Sequence, residues 1–222
     1  MASPISDQID AVADACFIAS HRLTQWVSNA PTMEEDVAIG NIALDLLGQA
    51  RGLFATLGDE DQLAYFRDAQ DWHHPAICEL PNGDFGHTML RQFFVDVWLG
   101  QVWPGLATSS DRPVRGVAEK AIKENAYHLR HSSSWVVRLG DGTDESHHRM
   151  RSALDDLWPH VGEFASDGWV TAVSRTLIDA TLIDATRPLP RAEEVPRREP
   201  AHLVELLAAM QALAREHPGA TW

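Results

Sequence analysis

The sequence predicts an all-α protein built around a bundle of helices. Apolar residues recur at intervals of three and four along most of the 222-residue chain, which is the period of an amphipathic helix, and no segment reads convincingly as an alternating strand. Short stretches rich in Pro, Gly and Asn separate the long periodic segments. Because long helices joined by short turns pack most simply as a bundle, we interpret residues 1–222 as a single domain.

The interruptions of the apolar period set the expected helix bounds. Thr32 with Glu35 predicts a capping box, Pro104 is expected to end a long helix, and Thr143 or Asp144 caps the helix after the Gly140 turn. A segment rich in Pro, Arg and Glu at 187–200 reads as an exposed loop. The predicted helices cover residues 5–28, 32–57, 60–68, 86–103, 113–139, 144–164 and 201–216.

Charge and cysteine content exclude several classes of function. The formal net charge of −14 opposes binding to nucleic acid or to anionic membranes, because both carry negative charge. Cys16 and Cys78 are the only cysteines, and we expect buried free thiols in a reducing compartment. No signal peptide and no apolar run of about 20 residues is visible, so a cytoplasmic protein is expected. The pairs His73–His74 and His147–His148 are predicted to be solvated.

Asp96 is the clearest polar interruption of an apolar stretch. It lies in the segment 93–99, which is apolar on every side and is therefore predicted to be buried all round. A carboxylate there must be paired, hydrogen-bonded or bound to a cation, because an isolated buried charge costs several kcal/mol. We expect either a metal ligand or an ion pair with an arginine, for which Arg51, Arg91 and Arg130 are the candidates.

Two residues of the predicted helix 113–139 have nearly the spacing of a metal motif. Glu124 and His128 lie four residues apart on one face, whereas di-iron bundles place a histidine three positions after a glutamate. That position is occupied by Tyr127, a poor replacement for a neutral imidazole. We therefore interpret His128 as a capped or ion-paired core histidine.

Carboxylates on four predicted helices complete the pattern. Asp14, beside Phe17 and Ile18, either completes a central polar layer or occupies a half-exposed position, and Asn41 and Asp45 lie on a ridge of small residues that lets another helix approach. With Asp96 and Glu124, four helices each supply one carboxylate to a possible centre. A di-iron site needs about four carboxylates and two histidines, and neither Glu-x-x-His pair is intact. The layout predicts a di-iron bundle that has lost its metal, with no catalytic residue.

Three long stretches carry a resemblance to a known family. They are DVAIGNIALDLLGQAR (36–51), LPNGDFGHTMLRQFFVDVW (80–98) and AIKENAYHLRHSSSWVVRLGDGTDES (121–146), and the segment HLVELLAAMQALAREHPGATW (202–222) fits the same pattern. Over roughly residues 10–222 the chain resembles the structural C-subunit family of phenylacetyl-CoA epoxidases. Between about Ala165 and Pro200 it looks shorter than the family pattern, where a longer helix would be expected.

The resemblance implies a ferritin-like four-helix bundle core with additional helices and a non-catalytic role in aerobic phenylacetate catabolism. In that family a homologous catalytic subunit holds the di-iron centre and binds the CoA thioester, and the complex epoxidises the aromatic ring with O₂ and electrons from an NADPH-linked reductase. The implied partners are that catalytic subunit, the other epoxidase subunits and the reductase. No cofactor is expected in this chain.

Two other interpretations stay open at the level of sequence. The first is an independent di-iron or di-manganese oxidoreductase that uses the carboxylates and His128. The second is a freestanding helical protein without a partner. If the chain is a subunit, tryptophans are either interface anchors or ordinary core residues, because tryptophan is enriched at binding hot spots. The candidates are Trp26, Trp98, Trp103 and Trp135.

Overall fold

A computed structural model describes residues 4–186, 189 and 201–220 of the protein. Within those residues the chain folds into eight α-helices and three short 3-10 turns, without a β-strand. The all-α class is confirmed and agrees with a ferritin-like fold. No helix in this part of the chain is long and apolar enough to cross a membrane. The helices are α1 (Pro4–Thr24), α2 (Met33–Leu57), α3 (Glu60–Tyr65), α4 (Phe85–Leu106), α5 (Arg112–Gly140), α6 (Asp144–Leu157), α7 (Asp167–Asp179) and α8 (Ala201–Glu216).

The chain divides into two compact units by its internal contacts. Unit 1 contains α1, α2, α3, the first turns of α5 up to Val117, and α8. Unit 2 contains α4, the remainder of α5 from Ala118, α6 and α7. The interpretation of residues 1–222 as a single domain stays a prediction.

The α1–α2 pair forms the centre of unit 1. Val12 and Leu23 of α1 and Leu46 of α2 are among the fully buried apolar residues, and the Ser20 hydroxyl donates to the Ala43 carbonyl at 2.7 Å. Both cysteines are buried free thiols, as predicted. The side chain of Thr32 caps α2 by accepting a hydrogen bond from the backbone N–H three residues on, which confirms the predicted start.

Helix α1 ends four residues before the predicted position. The hydroxyl of Thr24 donates to the carbonyl of His21 at 2.8 Å and so competes with the helical ladder. Ser28 then adopts a left-handed conformation with φ 70°, and its N–H donates to a carboxylate oxygen of Asp36 at 2.6 Å. The chain therefore turns before α2, and Trp26 lies in the turn rather than in a helix.

Helix α8 joins unit 1 by capping the end of α3. Gln211 Nε2 donates to the carbonyl oxygens of Ala64 and Arg67 at 3.2 and 3.1 Å, and Arg215 donates to those of Tyr65 and Arg67 at 3.1 and 2.8 Å. The last carbonyls of a helix have no partner within it, so at Ala64 and Tyr65 these side chains satisfy groups that α3 leaves open, and at Arg67 they hold the chain just after the helix. The bounds predicted for α8 are confirmed.

Unit 2 is organised around α4, which is buried on nearly every side. The indole N–H of Trp169 on α7 donates to the carbonyl of Phe94 on α4 at 3.0 Å, and the two rings lie 5.3 Å apart in an edge contact. Trp158 packs against both, at 6.2 Å from the Phe94 ring and 6.1 Å from the Trp169 ring. Trp103 is fully buried, which confirms core packing for that candidate anchor.

The segment after α6 differs from the sequence-based expectation. A single helix was expected to reach residue 164, but α6 ends at Leu157 because Pro159 lacks the N–H that would continue the helical hydrogen bonds, and a short 3-10 turn at Trp158–His160 follows. A separate helix, α7, follows and was missed. Its signal was present as Ser166, whose hydroxyl caps the Trp169 N–H at 3.1 Å.

Smaller differences concern the ends of α4 and α5. Helix α4 continues past Pro104 to Leu106, and α5 ends at Gly140, where a Cβ would press against the carbonyl of Ala180. Thr143 caps α6, as predicted. Apart from residue 189, the predicted loop 187–200 lies outside the described residues.

Candidate functional site

Asp96 lies in the middle of α4 with its side chain fully buried. Its carboxylate oxygens accept hydrogen bonds from Gln92 Nε2 and from the Ser132 hydroxyl, each at 2.7 Å. Burial raises the pKa of Asp96 to about 7, although the two hydrogen bonds act in the opposite direction. The predicted ion pair with an arginine is therefore wrong, since neutral donors hold this carboxyl group.

The arginines considered for Asp96 contact other groups. Arg91 donates to the side-chain oxygen of Asn82, Arg130 lies over the ring of Tyr127 at 5.6 Å, and Arg51 pairs with Glu60 at 3.0 Å. Helix α5 instead approaches α4 through Asn125, whose amide donates to the backbone carbonyl of Asp96 at 3.0 Å.

Asp14 of α1 forms a buried ion pair within unit 1. Both of its oxygens accept hydrogen bonds from the guanidinium of Arg67, one of them at 3.1 Å, and the backbone N–H of His73 donates to it at 2.8 Å. The guanidinium carbon of Arg67 also lies 4.1 Å from the centre of the Trp72 ring. The cation that this buried carboxylate requires is thus a protein side chain.

The two candidate metal-site residues of α2, Asn41 and Asp45, differ in burial. Asn41 is exposed, so the expectation that it points into a helix contact is wrong. Asp45 is half-buried. The small residues near them behave differently from one another: a Cβ added at Gly52 would lie 2.7 Å from the Val117 side chain, whereas nothing lies within 4 Å of one at Gly48. Close helix approach is therefore limited to the C-terminal part of the ridge.

The α5 candidates have separate environments. Glu124 is mostly buried and pairs with Lys120 one turn earlier at 2.5 Å. Tyr127, which occupies the position of the missing histidine, is exposed to 43%. His128 is fully buried, which agrees with its interpretation as a core histidine. On α5 the side chain that donates to the carboxylate of Asp96 is Ser132, one turn beyond His128.

Sequence reasoning missed a buried histidine–glutamate pair in unit 1. His74 was expected to be solvated, but its side chain is buried and its Nε2 lies 2.8 Å from a carboxylate oxygen of Glu79. Arg22 donates to the backbone carbonyl of Glu79, and burial lowers the pKa of Arg22. The available signal was the apolar context, since Trp72 and Ile77 on either side are also buried. His73, in contrast, is exposed as predicted.

The donor set does not fit a di-iron centre. Asp14 is already neutralised by a guanidinium, Asp96 is held by neutral donors with a raised pKa, and Asn41 and Tyr127 are exposed. Di-iron sites require several ionised carboxylates that converge with two imidazoles. Within residues 4–186, 189 and 201–220, no group of three or more His, Cys, Asp or Glu side chains could hold a metal ion.

Comparison with known proteins assigns the chain to a family. The model of the family described as phenylacetic acid catabolic protein matches residues 2–189. The chain belongs to this family. It is also 38% identical over 239 residues to the C-subunit of 1,2-phenylacetyl-CoA epoxidase from Escherichia coli (strain K12), with 95% of this chain and 96% of that protein covered. This family assignment agrees with the resemblance drawn from the motifs at 36–51, 80–98 and 121–146.

Proposed function

We propose that this chain is the non-catalytic structural subunit of a multicomponent di-iron monooxygenase that epoxidises phenylacetyl-CoA in the cytoplasm. A homologous catalytic subunit holds the di-iron centre and the CoA thioester, and further epoxidase subunits and an NADPH-linked reductase complete the complex. The chain itself carries no cofactor. Its similarity to the C-subunit of an epoxidase over nearly the whole length of both proteins supports this proposal.

The observation that carries the proposal is the buried ion pair between Asp14 and Arg67. A guanidinium bonded to both oxygens of a buried carboxylate supplies the positive charge that a metal would otherwise supply. The same side chain stacks on Trp72, so it is held in place by packing as well as by charge. This pair stabilises the fold of unit 1, and because it engages both oxygens of Asp14, neither is open to an iron ion.

Asp96 supports the same conclusion from unit 2. Both of its carboxylate oxygens already accept hydrogen bonds from neutral side chains, which a metal ion would have to displace. The hydrogen bond from Ser132 links α4 to α5, and the one from Gln92 lies within α4. Asp96 therefore acts as a polar cross-link between α4 and α5.

Metal analysis of the purified chain tests this function. The chain is expressed alone in iron-supplemented and manganese-supplemented medium and is also co-purified with its catalytic homologue. We expect less than about 0.1 metal ion per chain alone, and phenylacetyl-CoA consumption only when the catalytic homologue and reductase are present. Near two metal ions per isolated chain, lost in Glu124→Ala, would establish the independent oxidoreductase instead.

A second measurement separates the subunit from a freestanding protein. Co-expression with the catalytic homologue of the same organism is expected to give a complex that survives size-exclusion chromatography at about 0.15 M salt. Chains that elute separately under those conditions would contradict a structural subunit, whatever the metal content.

A further inference from the structure

Helix α2 presents an apolar stripe to solvent. Met33, Val37 and Leu44 are exposed to 81%, 58% and 65%, and they follow one another at spacings of four and seven residues, along one side of the helix. Gly40 and Gly48 continue the same side, and nothing lies within 4 Å of a Cβ at either position. We call these five residues the α2 stripe.

Folding of unit 1 does not require apolar residues at the positions of the α2 stripe. The opposite side of α2 already supplies the core residues of this helix, among them Ile39, Ile42 and Leu46, each almost completely buried. A helix that packs in one unit needs a single apolar face. Exposed apolar residues that share a side of one helix mark an interaction surface, whereas scattered ones do not.

Other exposed apolar residues of unit 1 provide the contrast. Val204 and Leu213 of α8 are exposed to 53% and 55%, similar to members of the α2 stripe. The two residues are nine positions apart, and because each position turns the helix by about 100°, they lie about half a turn apart on opposite sides of α8. They therefore form no continuous surface. The α2 stripe, from Met33 to Gly48, extends over about 22 Å at about 1.5 Å per residue.

The charges beside the α2 stripe are acidic. Glu34 is exposed at its N-terminal end, and Asp36 and Asp45 lie half-buried along its edges. The nearest basic residue on α2, Arg51, is paired with Glu60 at 3.0 Å. A partner that covers this side of α2 needs an apolar ridge bordered by Lys or Arg side chains, because complementary charges select the partner and speed its association.

We propose that the α2 stripe is the docking surface for an amphipathic helix of the catalytic subunit, one whose apolar side is bordered by basic residues. This inference rests on the proposed function. The open positions at Gly40 and Gly48 let the backbone of that helix approach closely. A second copy of this chain is disfavoured as the occupant, since it would bring the same acidic edges and a further net charge of −14 against this one.

Binding of single variants to the purified catalytic subunit tests the docking surface. Leu44→Glu places a charge in the middle of the α2 stripe and is expected to weaken the dissociation constant by about 30-fold or more, the effect of losing a hot spot. Leu213→Glu is the matched control, because it makes the same change at similar exposure on α8. It is expected to bind within about threefold of the unmodified chain.

Folding of the variants is checked by far-ultraviolet circular dichroism and thermal unfolding. Met33→Glu is a second variant whose parent side chain is exposed to 81%, so it removes an α2 stripe residue without touching the core. Glu34→Gln probes the charge argument, and we expect weaker binding with a shallower dependence on salt.

The outcomes separate this inference from the proposed function. If the unmodified chain does not bind the catalytic subunit, the proposed function fails and the docking surface with it. If it binds and both α2 stripe variants bind equally well, only the docking surface is refuted. If the unmodified chain forms a homodimer that Leu44→Glu dissociates, a second copy occupies the α2 stripe and the inference is overturned.

Discussion

Replacement of Asp96 by asparagine changes the pH dependence of stability in a direction that the structure fixes. Asparagine has nearly the same shape and keeps an oxygen that can accept from Gln92 Nε2, at present 2.7 Å from the carboxylate. The hydroxyl of Ser132 can rotate to accept a hydrogen bond from the new amide, because a hydroxyl is both donor and acceptor. What the substitution removes is the ability to ionise.

The magnitude follows from the pKa of Asp96 in the two states. In the folded protein burial raises this pKa from 3.8 to about 7. Between these values the folded state binds more protons than the unfolded state, so its stability falls as pH rises. The contribution is fully present below the unfolded pKa and is lost as pH rises through the folded pKa. Its full size is about 4 kcal/mol, of which about 2–3 kcal/mol lies between pH 5 and pH 8.

Urea unfolding of the unmodified protein and of Asp96→Asn at pH 5, 6, 7 and 8 measures this contribution. All other titrating groups are common to both proteins, so the difference between their free energies of unfolding isolates Asp96. We expect Asp96→Asn to gain about 2–3 kcal/mol relative to the unmodified protein on going from pH 5 to pH 8. Asp155→Asn, an exposed carboxylate on α6, is the control and is expected to show no such trend.

A difference between the two proteins that stays constant within about 0.5 kcal/mol from pH 5 to pH 8 would refute the reasoning. That result would mean that Asp96 is ionised throughout the range and that a cation, from the protein or from solution, accompanies it. Measurement of the same pH series after dialysis against a metal chelator would then distinguish a bound metal ion from a protein cation.

Two further pairs of variants test the packing of the units by urea unfolding. Arg67→Ala leaves the buried carboxylate of Asp14 without its cation and is expected to cost about 3–5 kcal/mol, whereas Arg51→Ala breaks an exposed pair and costs less than about 1 kcal/mol. Equal effects would contradict the burial argument. Gly140→Ala forces a Cβ against a backbone carbonyl and destabilises the protein, while Gly48→Ala meets open space in a helix and stabilises it by about 0.5–1 kcal/mol. Loss of stability in Gly48→Ala would show that this position is already covered.

Local patterns predicted the helices well where caps and breakers are explicit. Thr32 and Thr143 supply side chains that accept hydrogen bonds at the helix starts, and those starts were placed correctly. The error after α6 arose at Pro159, where the apolar spacing continues although the helical hydrogen bonds of the backbone do not. Residues on both sides of such a break can share one face without sharing one helix.

The candidate site was predicted less well, because its residues depend on partners distant in sequence. Burial of Asp96 followed from the apolar residues around it, but the identity of its partners did not. Ser132 lies 36 residues away and carries no charge, so no charge pattern pointed to it. His74 was misplaced for a different reason: its partner Glu79 is only five residues away, but the adjacent His73 is exposed, and the sequence does not tell which histidine of the pair faces the core.

The sequence by itself determined that the chain is helical, that Asp96 is a carboxylate in apolar surroundings, and that the spacing of the metal-binding histidines is broken. These properties depend on periodicity and spacing within single helices, which a linear pattern records. Only the tertiary structure decided what neutralises each buried group, because that depends on which helices meet and at what register. It placed Arg67 against Asp14, Gln92 and Ser132 against Asp96, and left the α2 stripe uncovered.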